Sequence, residues 1–323
     1  MSNKTVYLIG VGGFGIHHLE GLLISKTPLD IKVIDASPQA LDRARSVCDG
    51  VSSGHMISFL DHIPEINCVD VAIVATTSRV RAAVIRELLS KVRTVKYLLL
   101  EKILFDKKSD YASIGRLLKK HRTRAWVNCP RRLFPFHVSL QKKMRGGPFW
   151  LQVSAGERYG LMTNVIHYLD YMCYLAGTTD FRTDTSLLVP KLVESKRGGY
   201  HELWGSLSFH FKNESIGTMT TLPQPDTVRL SIAGKRARVI IDESKKVAMV
   251  AEKKTGWLWE QATVPLFNQS EMTGHVVETI IKTGHCDLTP YEESAAIHVA
   301  LLEPVRRFLN KSLQKSVKNY PFT

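Results

Sequence analysis

The chain has 323 residues, 44% of them hydrophobic and 23% charged, with 44 Lys and Arg against 30 Asp and Glu. That length predicts two domains rather than one small core, and no apolar run of about eighteen residues is present to cross a membrane. The formal charge of +14 is spread along the chain, with short clusters at 131–145 and 306–318. Without the dense stripe and module of a nucleic-acid binder, it predicts a solvated basic surface first and steering of an anionic substrate second.

Five cysteines (Cys48, Cys68, Cys129, Cys173, Cys286) are odd in number and far apart, with no CxxC pair or His/Cys cluster. Reduced thiols are expected, and neither a disulfide framework nor a metal site. The opening "MSNKTVYLIG" enters a strand at once, without the apolar run and cleavage site of a signal peptide, so a cytoplasmic protein is expected.

In chain order, "TVYLIGVG" (5–12) is an apolar run ending in glycine, and "GIHHLEGLLIS" (15–25) has helical spacing. A strand (30–37), a helix opened by Pro38 (38–48), a strand (69–78) and a helix (79–92) follow. Then come a strand (95–104), a helix (108–121) and the extended "RAWVNCP" (124–130). Strands apolar on both faces, alternating with helices, predict a doubly wound parallel sheet of the Rossmann kind over residues 1–125. Residues 126–323 read differently. A helix at 137–145, a strand "FWLQVSAGE" (149–157) and a helix 160–177 closed by Gly177 are followed by alternating segments at 202–211, 215–222, 227–234, 237–242 and 246–252. Two helices, 271–284 and 292–313, end the chain. This predicts an α+β domain with a largely antiparallel open sheet, for substrate binding and oligomerisation.

Gly10, Gly12 and Gly15 fit G-x-G-x-x-G after a strand and before a helix. The first glycine permits the turn, the second lets backbone approach a pyrophosphate, and the third allows close helix–strand packing. Gly13 and Phe14 complete the turn. Glycine turns without ligands also occur, and Asp35 favours the ligand reading, its alternative being a strand-terminal turn residue ahead of Ser37-Pro38. It ends the second strand, twenty residues after Gly15, where an acid bonds the adenosine ribose hydroxyls and repels a 2′-phosphate. A dinucleotide is expected, NAD in preference to NADP. Thr76 and Thr77 follow the third apolar strand and either contact the cofactor or cap the next helix.

Glu101 and Lys102 close a buried strand, "KYLLLEKILF". A lysine at that depth is either salt-bridged or placed for proton transfer beside a nicotinamide. In "TNVIHYLDYMCYLAG", helical spacing puts Met162, Val165, Ile166, Leu169, Met172 and Cys173 on a buried stripe. Thr163, His167, Asp170, Tyr171 and Tyr174 fall opposite, with Asn164 beside Thr163. His167 is therefore either a solvated surface residue or a cleft residue with polar neighbours one turn away. Asn128, Arg131 and Arg132 lie in "VNCPRRLFPF", where arginines either fork onto a substrate carboxylate or phosphate or stay solvated in a hinge.

These features together resemble the Gfo/Idh/MocA family of NAD(P)-dependent oxidoreductases over essentially the whole chain. They are Gly10-x-Gly12-x-x-Gly15, Asp35, "EKI" (101–103) for the family's E-K-P, "HYLD" (167–170) for its H-x-x-D, and "DLTPYEES" (287–294). The resemblance implies that Lys102 and His167 sit beside the nicotinamide and the reacting hydroxyl or carbonyl. Two departures stand out. Ile103 replaces the motif's proline, and Thr163 replaces an acid four residues before the histidine, which leaves Thr163 or Asn164 to bond the imidazole neutrally. The expectation is an NAD-dependent dehydrogenase or ketoreductase acting on CH–OH groups of a sugar, nucleotide sugar or acidic sugar, in a homodimer or homotetramer. Lys102 and His167 would be catalytic. Gly10, Gly12, Gly13, Phe14, Gly15, Asp35, Thr76, Thr77, Glu101 and Lys102 would bind cofactor. Lys102, Asn128, Arg131, Thr163, Asn164 and His167 would bind an anionic substrate. Relatives of this kind imply a place in bacterial surface-glycan synthesis. Two alternatives remain: a non-catalytic NAD-binding regulator, and an NAD-assisted epimerase or lyase without net redox change.

Overall fold

The computed structural model describes residues 3–51, 54–156, 159–224, 226–314 and 316–323. Met1 and Ser2 of the opening stretch, Glu157 at the end of a predicted strand and Lys315 in the C-terminal basic cluster lie outside the described residues. The chain forms two compact units, Met1–Asn128 with Phe267–Glu292, and Cys129–Leu266 with Glu293–Thr323.

The first unit is built on strands β1 (Lys4–Ile9), β2 (Leu29–Ile34), β3 (Met56–Leu60), β4 (Ile66–Val74), β5 (Val92–Leu100) and β6 (Arg124–Val127). They lie parallel in the order β6-β5-β4-β1-β2-β3, the doubly wound arrangement expected. Helices α1 (Gly15–Leu23), α2 (Pro38–Cys48), α3 (Ser78–Lys91) and α4 (Lys108–His121) connect them. The interior ends of β1, β4 and β5 are fully buried, as strands covered on both faces must be. Helix α2 starts where its sequence says it should: Ser37 Oγ accepts from the Ala40 N–H at 3.3 Å, and Pro38 needs no donor there. Strand β3 had no sequence signal, since its five residues are half-exposed at the sheet edge.

Two points of domain organisation differ from expectation. The boundary falls after Asn128, not 125, and residues 267–292 return to the first unit. Close glycine packing accompanies the return of residues 267–292. Helix α7 (Gln269–Thr283) crosses α1 where a Cβ on Gly21 would stand 2.8 Å from Thr273 Cβ, and one on Gly274 would run into the Gly21 carbonyl. Thr289–Pro290 then adds a short antiparallel edge beside β6.

In the second unit, a 3₁₀ turn (Pro130–Leu133) leads into α5 (Pro135–Met144), β7 (Phe149–Ala155) and α6 (Leu161–Ala176). The remaining long strands are Phe181–Asp184, Gly205–Phe211, Ile216–Thr221, Arg229–Gly234, Ala237–Asp242, Val247–Glu252 and Trp259–Thr263. With β7 they make an eight-stranded sheet, antiparallel except where β7 pairs with Ile216–Thr221. Two-residue strands at Val193–Glu194 and His201–Glu202 form a separate ladder. The strands alternate buried and exposed positions, and one face carries exposed Trp150, Ile216, Ile240 and Met249. Gly177 ends α6 in the left-handed region, as expected.

The first unit's turn depends on contact between its own glycines. Gly10 has φ +91°, and a Cβ on Gly15 would fall on the Gly10 carbonyl oxygen. Gly15→Ala should therefore lower unfolding free energy by about 1–3 kcal/mol, read by urea denaturation; an unchanged midpoint would contradict this packing.

Candidate functional site

At the glycine turn, the residues expected to bind a dinucleotide lie together within the first unit. Gly12, Gly13 and Phe14 are exposed, and a Cβ on Gly12 or Gly13 would meet nothing within 4 Å. The N-cap position of α1 is Phe14, which makes no side-chain cap bond, and the first turn holds no acid. The Ile16 and His17 N–H groups donate to the Gly12 and Phe14 carbonyls, so what the helix start offers an anion is its partial positive charge and the exposed backbone of Gly12 and Gly13. Asp35 follows β2 and does more than expected. Its Oδ2 accepts from the Val11 N–H at 2.8 Å and its Oδ1 from the Ser37 N–H at 2.9 Å. The carboxylate braces the turn from the next strand. Thr76, just beyond β4, buries an Oγ1 that has no protein partner. Thr77 occupies the N-cap position of α3, yet its side chain makes no cap bond. A phosphate or ribose hydroxyl suits this set of donors and open Cα positions, so the residues present fit a dinucleotide.

Glu101 and Lys102 follow β5. Burial alone would push the Glu101 carboxyl up, but donors and charge outweigh it and hold it below the usual glutamate range. His18 Nε2 lies 3.0 Å from Glu101 Oε1, Asn128 Nδ2 donates to the same oxygen at 2.6 Å, and the Lys102 charge adds to the effect. Asn128 also donates to Gln269 Oε1 at 2.6 Å, Gln269 Nε2 donates to Thr273 Oγ1 at 2.8 Å, and Thr273 Oγ1 lies 3.0 Å from His18 Nδ1. The five side chains close a buried ring. Asn128, expected to reach substrate, is instead 3% exposed with its amide engaged in this ring. His18, Gln269 and Thr273 were missed in the sequence. Arg81 was missed too: its buried guanidinium donates to the carbonyls of Thr76, Ile103 and Leu104, tying the end of β4 to the segment after Lys102. The Lys102–Ile103 peptide is cis.

In the second unit, His167 is half-buried on α6, one turn after Thr163. The predicted polar face is corrected, because Asp170 and Tyr171 are buried. Helix α6 packs against the sheet, α5 and the 3₁₀ turn, so little of it meets water. Thr163 gives its hydroxyl proton to Glu202 Oε1, and Asn164 Nδ2 donates to the carbonyls of Tyr159 and Gly160.

The arginines are neither substrate forks nor solvated. Arg131 grips Glu243 through both carboxylate oxygens at 2.9 Å and lies 3.9 Å above the Tyr168 ring. Arg132 pairs with Asp170 at 2.9 Å and with Glu293 at 3.0 Å. Burial disfavours both charges, and the facing carboxylates more than offset it, so both guanidinium groups stay charged. The anionic-substrate expectation thereby loses its two arginines and keeps the net basic charge. Among the described residues, no group of three or more His, Cys, Asp or Glu is arranged to hold a metal, and no helix is long and apolar enough to cross a membrane.

Removing one half of such a pair leaves a buried charge. Arg131→Met should destabilise by about 3–5 kcal/mol, and adding Glu243→Leu should recover most of that; a denaturation series in which the single variant loses nothing would contradict the pairing. Glu101 sets an acid dependence. A carboxyl held below its unfolded value contributes stability that is complete above the ordinary glutamate range and is lost as pH falls through the lowered value. Glu101→Gln should flatten the acid limb of the stability profile. A limb as steep as wild type would contradict this.

No protein-family model matches this sequence, and no curated protein does. Among solved structures, the chain is similar to UDP-N-acetylglucosamine 3-dehydrogenase from Acidithiobacillus ferrooxidans, with TM-score 0.71 and 14% identity, over 97% of this chain and 100% of that one. It is similar to an oxidoreductase from Agrobacterium radiobacter solved with NAD+, L-tartaric acid and magnesium, with TM-score 0.70 and 16% identity, over 93% and 94%. It is also similar to an aldose-aldose oxidoreductase from Caulobacter crescentus solved with glycerol, with TM-score 0.70 and 13% identity, over 98% and 100%. At such identities the likeness is one of fold, and this chain shares the fold of these three solved structures.

Proposed function

We propose that this protein is an NAD-dependent oxidoreductase of the Gfo/Idh/MocA family that moves a hydride between nicotinamide and a CH–OH or keto carbon of a sugar-type substrate. The observation that carries the reading is the glycine turn: open Cα positions at Gly12 and Gly13, a helix start without a side-chain cap, and the unpartnered hydroxyl of Thr76, which packs against Gly10. The sugar class comes from structurally similar proteins, one a UDP-N-acetylglucosamine 3-dehydrogenase and another an aldose-aldose oxidoreductase. NAD is preferred over NADP because the Asp35 carboxylate stands at the end of β2, where a 2′-phosphate would meet its charge.

A bound nicotinamide supplies hydride acceptance or donation, and the chain positions the reactants and handles the proton. Gly10–Gly15 and the start of α1 hold the phosphates, and Asp35 the adenosine ribose. Thr76 and Thr77 supply hydroxyls nearby. In oxidation His167 takes the hydroxyl proton while the Lys102 ammonium holds the oxygen that becomes the carbonyl; in reduction the roles reverse. General acid–base help of this kind is typically worth about 10²–10⁴ in rate. The exposed apolar residues on the eight-stranded sheet support a homo-oligomer formed through that face, in a cytoplasmic enzyme of glycan metabolism.

The test is turnover of a panel of neutral sugars, sugar acids and nucleotide sugars with NAD and with NADP. Net NADH formation is expected, with NADP poorer, and Lys102→Ala should lose about 10²–10⁴ of the rate at nearly unchanged NAD affinity. Converted sugar without NADH would instead favour an epimerase or lyase, and tight NAD binding without any conversion a regulator. Retained turnover in Lys102→Ala would remove that lysine from the mechanism.

A further inference from the structure

The N-terminus of α6 is capped from elsewhere in the chain. Its N-cap residue is Gly160, with φ +51° and no side-chain cap bond of its own. Glu202, on the short strand His201–Glu202, fills that role and is 5% exposed. Its Oε2 accepts from the Met162 N–H at 2.6 Å, and its Oε1 from the Thr163 N–H at 3.1 Å and from the Thr163 hydroxyl. A Cβ on residue 160 would come within 2.6 Å of Oε1, so only glycine lets the carboxylate approach this far.

Two backbone bonds would suffice for a cap. The third bond has a chemical consequence, because a hydroxyl has one proton and two lone pairs. With its O–H donating to Glu202, the Thr163 oxygen offers only lone pairs to the face it shares with His167, four residues on. Such an oxygen favours an N–H on the imidazole toward it, and the negative charge behind it favours the imidazolium.

We infer that Glu202 is a positioning residue for His167, acting through Thr163 to supply the carboxylate that α6 lacks at position 163. This rests on the proposed proton-handling role of His167, but the arrangement concerns only residues of the second unit. The other charged and titratable groups on the elements packed against α6 are these. Arg131 and Arg132 on the 3₁₀ turn are paired with Glu243 and with Asp170 and Glu293. On α5, Lys143 pairs with Glu252, and His137, pushed down to about 3 by burial and by Arg131, is uncharged. Lys142 completes α5 and His201 the short strand, while β7 and Ile216–Thr221 hold no titratable side chain.

The test is NMR titration of the His167 imidazole in the full chain, its signal assigned by loss in His167→Gln. Glu202→Gln keeps one of the two acceptor oxygens and removes the charge; Thr163→Val keeps the carboxylate and removes the relay. Each should lower the His167 pKa by about one unit, a tenfold change in protonation constant, with helix content unchanged by circular dichroism. Glu202→Asp should restore part of the shift. Titration within about 0.2 unit of wild type in both variants would overturn the inference and leave Glu202 as a helix cap only. If Glu202→Gln loses the helix, Thr163→Val decides alone. The readout needs neither cofactor nor substrate, so a chain that fails to turn over sugars can still show the shift, and an active dehydrogenase with an unshifted His167 overturns this inference by itself.

Discussion

The contact of Gly15 with the Gly10 carbonyl is the constraint on which the rest of the first unit depends. No side chain fits between them, so the chain leaves β1 and enters α1 within a few residues. That turn leaves Gly12 and Gly13 facing outward and aims the helix start at the space above them. It also fixes where α1 carries His18, three residues further on, against Glu101. The same helix crosses α7 through Gly21 and Gly274, bringing Gln269 and Thr273 to the buried ring. A turn read as a phosphate cradle is thus also the start of the polar network beside Lys102. Phe14, exposed like Gly12 and Gly13, stands edge-on to His18 with ring centroids 5.7 Å apart.

The second unit follows a different rule, that buried charges come in pairs. Arg131 with Glu243, Arg132 with Asp170 and Glu293, and Glu202 with the start of α6 each satisfy a group that burial would otherwise penalise. Tyr168 extends one pair by donating to Glu243 at 2.8 Å, and Tyr159 bonds Tyr168 at 2.8 Å. These networks hold α6 against the 3₁₀ turn and the sheet, which gives His167 a rigid support.

What the sequence reveals follows how local each feature is. The glycine spacing, Asp35 after β2, the Ser37–Pro38 start of α2 and the Gly177 cap are set by neighbours within a few residues, and all are found where the pattern puts them. Asn128, Arg131 and Arg132 were misread because their partners are remote: Gln269 is 141 residues from Asn128, and Glu243 is 112 from Arg131. A polar residue between apolar ones looks available for a ligand until its partner is known. The same distance hid Glu202, 39 residues beyond Thr163, and made the threonine look like a lost acid. Helical periodicity failed at Asp170 and Tyr171 because α6 is covered on more than one side. The one signal that could have flagged His18 is its place on α1 among residues that must pack inward.

The central claim is that the turn at Gly10–Gly15 binds the phosphates of a nicotinamide dinucleotide. Titration of the intact chain with NADH, followed by cofactor fluorescence, tests it most directly when repeated on Gly12→Val. That substitution fills the open space with no neighbour within 4 Å at its Cβ and should leave thermal stability unchanged. The account predicts saturable binding to wild type, weakened at least ~10-fold, about 1.4 kcal/mol, in the variant. Absence of saturable binding, or equal affinity in the two proteins, would contradict it.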